Sequence, residues 1–497
     1  MPHNWAVEPE HDAQDDAQIL KTIPPAARPS WWKRRTYGQR VAVGVVSYVL
    51  VAIPVVLYAP GALLNNWVPG QTPEEQGKLL GAAGNLVLLA LGGVIAVVTV
   101  GLSLSRHRQE IDAAERDRQR LLDDQKREQA RLSEVDRQRR IETERVLRER
   151  FVTTVKLLSD PAPVNRQAAL FALGALADDW DAFGNTDEVQ VCIEVLTSYL
   201  RAPRSDDMLS PLDAEEAHYL EPEDYYDAQR TTPQEVSVKQ AGYTVIRNHI
   251  QWEAAPNWHD RPINLARAHI DFHVELLRAR VDLGGVIDLT AARIAPGGTV
   301  DLGAVRISNR GRVSLMDARI SGAGGVDMTA ADVSNHGMLT LMNVTLTRAL
   351  VLLVNAKITN YGSVIIRNAS IRHGASVDLK GAEISDGGTV DLMASKISAD
   401  RGVILRNAKI RDGGSVNLGE AVISDGGIVD LSAAKITHDG IVDLGAATID
   451  DRGHVNLSGA LISDGGSISL TATTIGEGGY VIRPNGVRSK KAKSEPA

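Results

Sequence analysis

A thirteen-residue block recurs through the last two fifths of this 497-residue chain. The triplets Val377-Asp378-Leu379, Val390-Asp391-Leu392, Val416-Asn417-Leu418, Val429-Asp430-Leu431, Val442-Asp443-Leu444 and Val455-Asn456-Leu457 fall on one grid. Five residues after the Val comes a small residue, and seven after it an Ile, as in Ala382/Ile384, Ala421/Ile423, Ala434/Ile436 and Ala447/Ile449. A Gly-rich turn then closes the block. The grid runs from Ile287 to Val481 with one slip, to Val351 where Leu352 was due. A block this short cannot bury its own apolar face and must stack on its neighbours, which is the signature of a solenoid.

Within a block, Val and Leu are two apart, as are Ala and Ile, so each pair can point to one side of a short strand. The two residues between the pairs make one corner. Ser-Asp-Gly-Gly makes the other, because Asp and Gly tolerate left-handed backbone angles. The pattern extends back to Val274-Glu275-Leu276 and, out of step, to Ile263-Asn264-Leu265 with Ile270, giving about eighteen blocks. Ser385 to Gly388 recurs as Ser424 to Gly427 and Ser463 to Gly466, each 39 residues on, and Arg367-Asn368-Ala369 recurs as Arg406-Asn407-Ala408. Three blocks were copied as a unit. With two blocks per coil that copy would exchange faces, so one block per coil is the simpler expectation. About eighteen coils at ~4.8 Å make a rod near ~85 Å, and two blocks per coil would halve it.

Ahead of the repeats the chain changes character several times. Residues 1–30 are polar and proline-bearing and read as a disordered cytoplasmic tail. Region 31–104 holds two uncharged apolar spans, about Val41 to Leu64 and Leu79 to Leu102. Each is near the ~20 residues needed to cross ~30 Å of hydrocarbon. Lys33, Arg34, Arg35 and Arg40 precede the first span and Arg106 and Arg108 follow the second, while the loop between carries Glu74, Glu75 and Lys78. The positive-inside rule then places both termini in the cytoplasm, and Trp31, Trp32 and Tyr37 suit an interfacial belt.

Region 105–150 reads as a charged helical stalk, with 14 Lys/Arg and 12 Asp/Glu between Arg106 and Arg150 and neither Gly nor Pro. Ile111, Ala114, Leu121, Leu132 and Val135 sit near heptad spacing, with Arg118, Gln125 and Glu128 interrupting. Two readings stand: a solvated helix of i,i+4 ion pairs, or a weak coiled coil that self-associates. Residues 151–202 read as a small helical module and 203–233 as an acidic linker. A helix and cap over 234–262 lead into the solenoid, 263–487, and 488–497 is a basic disordered tail.

The repeat resembles a known family. Val-Asp-Leu-x-x-Ala-x-Ile reads as two pentapeptide-repeat units followed by a three-residue insertion, and Pro262-Ile263-Asn264-Leu265-Ala266-Arg267-Ala268 resembles a first repeat after an entry helix. The order of segments over residues 31–487 is similar to that of bacterial membrane-anchored pentapeptide-repeat proteins. That resemblance implies a parallel β-helix at a bacterial cell membrane, and it carries no catalytic activity with it. The thirteen-residue spacing, and Val/Ile in place of Leu/Phe, depart from the family pattern.

No phosphate-binding loop, dinucleotide fingerprint, zinc-protease motif or nucleophile elbow occurs in a credible setting. His249, His259, His269 and His273 bunch before the solenoid, but His269 and His273 fall in a strand block, where i,i+4 is no ligand pair. The lone cysteine, Cys192, lies in an apolar stretch and reads as a buried structural thiol. The Asp of Val-Asp-Leu reads as a solvent-facing strand residue. We therefore expect no catalytic, cofactor-binding or metal site, and no enzyme. The expected function is a membrane-tethered scaffold that docks an unknown cytoplasmic protein on outward residues such as Asp391, Asp430 and Asp443. The alternative is a nucleic-acid mimic or binder. It is disfavoured by a net charge of −8 for the chain, and by 20 Asp/Glu against 18 Lys/Arg from Ile287 to Val487, a poor imitation of DNA.

Overall fold

The structure is a computed structural model that describes residues 37–67, 73–203, 209–211, 229–398, 401–485 and 488–489. The expected N-terminal tail, the residues Trp31 to Arg35, most of the acidic linker and the tail from Lys490 lie outside the described residues. The chain divides into two compact units, Met1–Asp136 and Arg137–Ala497.

In the first unit, α1 (Tyr37–Trp67) carries Pro54 and Pro60 and contains the apolar stretch Val43–Ala62. Helix α2 (Pro73–Leu157) opens with the apolar stretch Leu80–Gly101. Both stretches are long and apolar enough to cross a membrane. The Tyr48 hydroxyl donates to the Leu91 carbonyl, 3.2 Å away, and joins the two helices. Leu50, Leu57, Leu89 and Val97 point outward with more than half their surface open. Beyond Arg106, α2 is laced by ion pairs in which the acid precedes the base by one turn: Asp117–Arg120, Asp124–Arg127 and Glu128–Arg131. That order suits the helix dipole, at a few tenths of a kcal/mol per pair.

The second unit begins with helices that close one end of the solenoid. After the Asp160-Pro161 break, α3 (Pro163–Phe183) starts on a proline and stops at Gly184, whose φ of 79° is the usual left-handed helix stop. Helices α4 (Thr186–Arg201) and α5 (Pro233–Ile250) lie against it. A short antiparallel pair, β1 (Leu209–Pro211) and β2 (Gln229–Thr231), precedes α5. Trp180, Leu170, Leu173, Ile193, Leu196, Ile246 and Ile250 are fully buried and continue into Ile263 and Leu265 of the first coil. A buried polar knot joins three helices: Arg166 donates to Glu235 at 2.6 Å and to the Tyr199 hydroxyl at 2.9 Å, and Tyr199 donates to Glu235 at 2.9 Å. Burial, with the Glu235 charge behind it, pushes the Tyr199 phenol up to about 12. Cys192 is buried in α4, and burial pushes its thiol up to about 12.

From residue 262 the chain winds as a parallel β-solenoid of about eight turns, and here one expectation is overturned. Strands pair at 26-residue spacing, as Val313 does with Ile287 and Leu339, so each coil takes two blocks rather than one. The four strands of one coil, for example Ser415–Asn417, Val422–Ser424, Ile428–Asp430 and Lys435–Ile436, belong to four separate sheets of nine, nine, ten and eight strands. We number these faces one to four in chain order. The reason is geometric: each block turns two corners, and four corners close a coil. The rod is therefore roughly 40 Å long at ~4.8 Å per coil. The 39-residue copy does exchange faces. Its Arg lies at the first-to-second corner in Arg367 and at the third-to-fourth in Arg406, yet each pairs with an Asp one coil on, Asp391 and Asp430. The two halves of a coil are equivalent, so a shift of one and a half turns still fits.

Irregularities of the grid are absorbed at corners. Leu346 to Val351 is one residue shorter than Ile320 to Val326, and the registers either side fall to 25. Ile270 to Val274 is two shorter than Ile294 to Val300, which puts Ile263 and Ile270 out of step. Inside, Val, Leu, Ala and Ile of every interior block are buried. At the far end a strand at Arg488–Ser489 pairs antiparallel with Tyr480–Ile482, and Ile462 of the last coil is partly exposed.

Candidate docking surface of the solenoid

Outward positions divide into those occupied in holding the coil and those that are not. The Asp or Asn of Val-Asp-Leu belongs to the first group, and this corrects the reading of it as a plain solvent-facing ladder. Its side chain accepts the backbone N–H two residues on: Asp391 from Met393 at 3.0 Å, Asp430 from Ser432 at 2.9 Å, Asp443 from Gly445 at 2.9 Å. Asn417 and Asn456 do the same with Gly419 and Ser458. Each caps the tight turn that follows, where the second residue is left-handed, as in Ala394, Ala433 and Ala446. Asp430 is only 6% exposed. Burial would raise its pKa, but hydrogen bonds from Ser432 and the Arg406 guanidinium outweigh that and hold it below the usual carboxylate value.

The fourth face neutralises itself. Arg306, Asp332, Lys357, Glu383 and Lys409 lie opposite one another in consecutive strands with alternating sign, and Lys435 follows. A hydrogen bond from Arg411, against opposing burial, holds the Glu383 carboxyl below its usual pKa, with Lys409 and Lys357 adding to it. Arg306 also lies 3.4 Å over the Trp252 ring, with Arg278 at 4.8 Å from it.

The corner from the fourth face to the first is different. In eight successive coils it places two consecutive left-handed residues before a glycine. The glycine is dictated by space. At Gly311, Gly337, Gly362, Gly388, Gly414, Gly440 and Gly466 a Cβ would overlap the backbone carbonyl oxygen of the preceding coil. The residue before it is Gly in four coils, Gly284, Gly387, Gly413 and Gly465, and Asp439 in one. In the remaining three it is Arg310 (φ 66°), His336 (φ 63°) and Tyr361 (φ 61°), each preceded by a left-handed Asn: Asn309, Asn335 and Asn360. Bulky side chains seldom adopt this backbone.

These three coils stack their unusual residues into a ladder. The His336 and Tyr361 rings lie 5.4 Å apart and 8° from parallel. On the other side Tyr361 lies over Gly387, where even a Cβ would come within 2.8 Å of the ring. Beside the ladder runs an open groove of about 970 Å³ lined by Leu283, Asn309, Arg310, Asn335, His336, Asn360 and Tyr361. Tyr361 is 65% exposed and Leu283 73%. Among the described residues no carboxylate lies within ion-pair distance of Arg310, which lines the groove, or of Arg312, which starts the strand after that corner. Sequence reasoning passed over these residues. The legible signal was Asn-x-Gly with a bulky x, at coil spacing, where other coils place Asp-Gly-Gly.

The histidines before the solenoid are engaged separately. His249 lies between Asp178, 2.9 Å away, and the Val245 carbonyl, and stacks on Trp258. His259 faces the Gln251 carbonyl at 2.7 Å, and His273 the Thr299 hydroxyl at 2.7 Å. Among the described residues no group of three or more His, Cys, Asp or Glu is placed to hold a metal ion. No protein-family model matches this chain, and no curated protein and no solved structure matches it either.

Proposed function

We propose that this chain is a non-enzymatic scaffold of the bacterial pentapeptide-repeat kind. In this reading α1 and the start of α2 cross the cell membrane, with both termini and the solenoid cytoplasmic, and the rod presents its surface to a cytoplasmic protein. The observation that carries the reading is two uncharged apolar stretches, each within a helix, in one chain with a rod of stacked, outward-facing side-chain ladders. The flanking charges support the orientation. Each five-residue unit turns its first and third residues inward, as Val429 with Leu431 and Ala434 with Ile436, which supports the pentapeptide reading. Tethering raises the local concentration of a partner already near the membrane. Self-association through the charged stretch of α2 remains part of the proposal, because Leu121 and Leu132 are exposed in the single chain. The nucleic-acid alternative is weaker: the fourth face alternates in sign and the Asp row is occupied with backbone, so neither offers a continuous acidic strip.

Orientation is tested by placing cysteines at Gly70 and Lys490 and treating intact cells with an impermeant thiol reagent. Labelling at position 70 alone is expected, and labelling at 490 but not 70 overturns the orientation. The scaffold is tested by recovering a cytoplasmic protein with the full chain from solubilised membranes. A turnover abolished by replacing one buried acidic or histidine residue would end the non-enzymatic reading.

A further inference from the structure

We infer that the groove along Asn309, Asn335 and Asn360, with Arg310, His336 and Tyr361 beside it, is a docking site for an extended acidic peptide. The inference rests on the reading of the solenoid as a docking rod and names both the place and the chemistry. Three observations carry it. First, along the fourth-to-first corner only these three coils put bulky side chains at the left-handed position that four of the other five give to glycine, and they do so in succession, whereas Arg452 at the opposite corner stands alone between Gly426 and Gly478. Strain retained at a surface points to use.

Second, the groups offered are donors with little to receive them. Arg310 in the lining, and Arg312 at the start of the strand that follows, have no carboxylate partner among the described residues, nor do the three Asn amides show one. The guanidinium groups suit carboxylates. A row of amides, each both donor and acceptor, suits a peptide backbone, which presents both. Third, the groove is open and crosses four coils, three spacings of ~4.8 Å or about 14 Å, roughly four residues of extended chain. Small ligands are held in enclosed pockets, which this is not.

The same geometry argues against single-stranded nucleic acid. Bases stack on open ring faces. Here His336 stacks on Tyr361 and the Gly387 turn crowds Cδ1 and Cε1 of the same ring, which leaves less open face for a base.

The test uses the full chain in detergent and a fluorescein-labelled octapeptide of alternating Glu and Ser, followed by anisotropy. Saturable binding that weakens as salt rises is expected. The variant R310G/H336G/Y361G, which restores the residue of neighbouring corners, should bind about tenfold or more weakly with an unchanged circular dichroism spectrum. The control K409G/K435G, farther along the rod, should bind as the parent does. Equal affinity in the triple variant overturns the proposal. So does tighter binding of an oligothymidylate of matched charge. Failure of the peptide to bind the parent chain also overturns it. If membranes still yield a protein partner in that case, the scaffold reading stands and only this site is lost.

Discussion

The corner between the fourth and first faces exists in two versions within one rod. From Ile384 onward it reads Asp-Gly-Gly in three of four coils, and from Ile307 to Gly362 it reads Asn-Arg-Gly, Asn-His-Gly and Asn-Tyr-Gly. The backbone is the same in both, with φ near 50° and then 61° to 83°. The difference separates what the coil demands from what it tolerates. The last glycine is demanded, because the preceding coil's carbonyl oxygen occupies the place of a Cβ. The middle position demands only a left-handed angle, which glycine adopts freely and Arg, His and Tyr adopt at about 1–2 kcal/mol each. Along this corner glycine takes the middle position in four coils and Asp439 in one, and only the three groove coils give it to Arg, His and Tyr.

Substitutions can break this comparison or sharpen it. The largest effect is expected at Gly414→Ala, whose new methyl meets the Ile384 carbonyl oxygen in a stack that cannot part locally. A loss of about 3 kcal/mol or more is expected, seen as a lower unfolding midpoint of the full chain. Its neighbour Gly413→Ala has nothing nearer than 3.9 Å and should lose only about 1 kcal/mol, from the left-handed angle. Equal losses at the two sites would erase the distinction between demanded and tolerated positions.

Next in size is the turn cap. Asp430→Ala removes the acceptor for the Ser432 N–H and leaves Arg406 unpaired, at about 2 kcal/mol. Asp430→Asn keeps the cap, as Asn417 and Asn456 do in their coils, and should lose under about 1 kcal/mol. The carboxyl's pKa is lowered in the folded chain. Its contribution is therefore full above the unfolded value near ~4 and is lost as pH falls through the lower folded value. Acid unfolding of the Asn variant should be shallower in that window, and identical pH profiles would remove Asp430 from the account.

Much of this fold was legible in the sequence, and the unread parts have physical causes. Apolar spans and a repeat announce themselves because burial acts on composition and period. The number of blocks per coil did not, since a thirteen-residue period is the same whether two corners or four close the ring. The Asp of Val-Asp-Leu looked free because alternation reports which side of a strand a residue faces, not the N–H two residues on. The groove residues were hidden for a related reason: Arg310, His336 and Tyr361 lie 26 and 25 residues apart, and become a ladder only once the coil length is known.

The claim that these three side chains are kept for docking, not for folding, is tested most directly by the thermal unfolding midpoint of R310G/H336G/Y361G against the parent full chain. Relief of three left-handed angles at about 1–2 kcal/mol each should offset the lost His336–Tyr361 stack, ~0.5–1.5 kcal/mol, and the added freedom of glycine when unfolded. The account predicts a midpoint equal to the parent's or higher. A fall as large as that of Gly414→Ala would show that the ladder holds the coil together, and would contradict it.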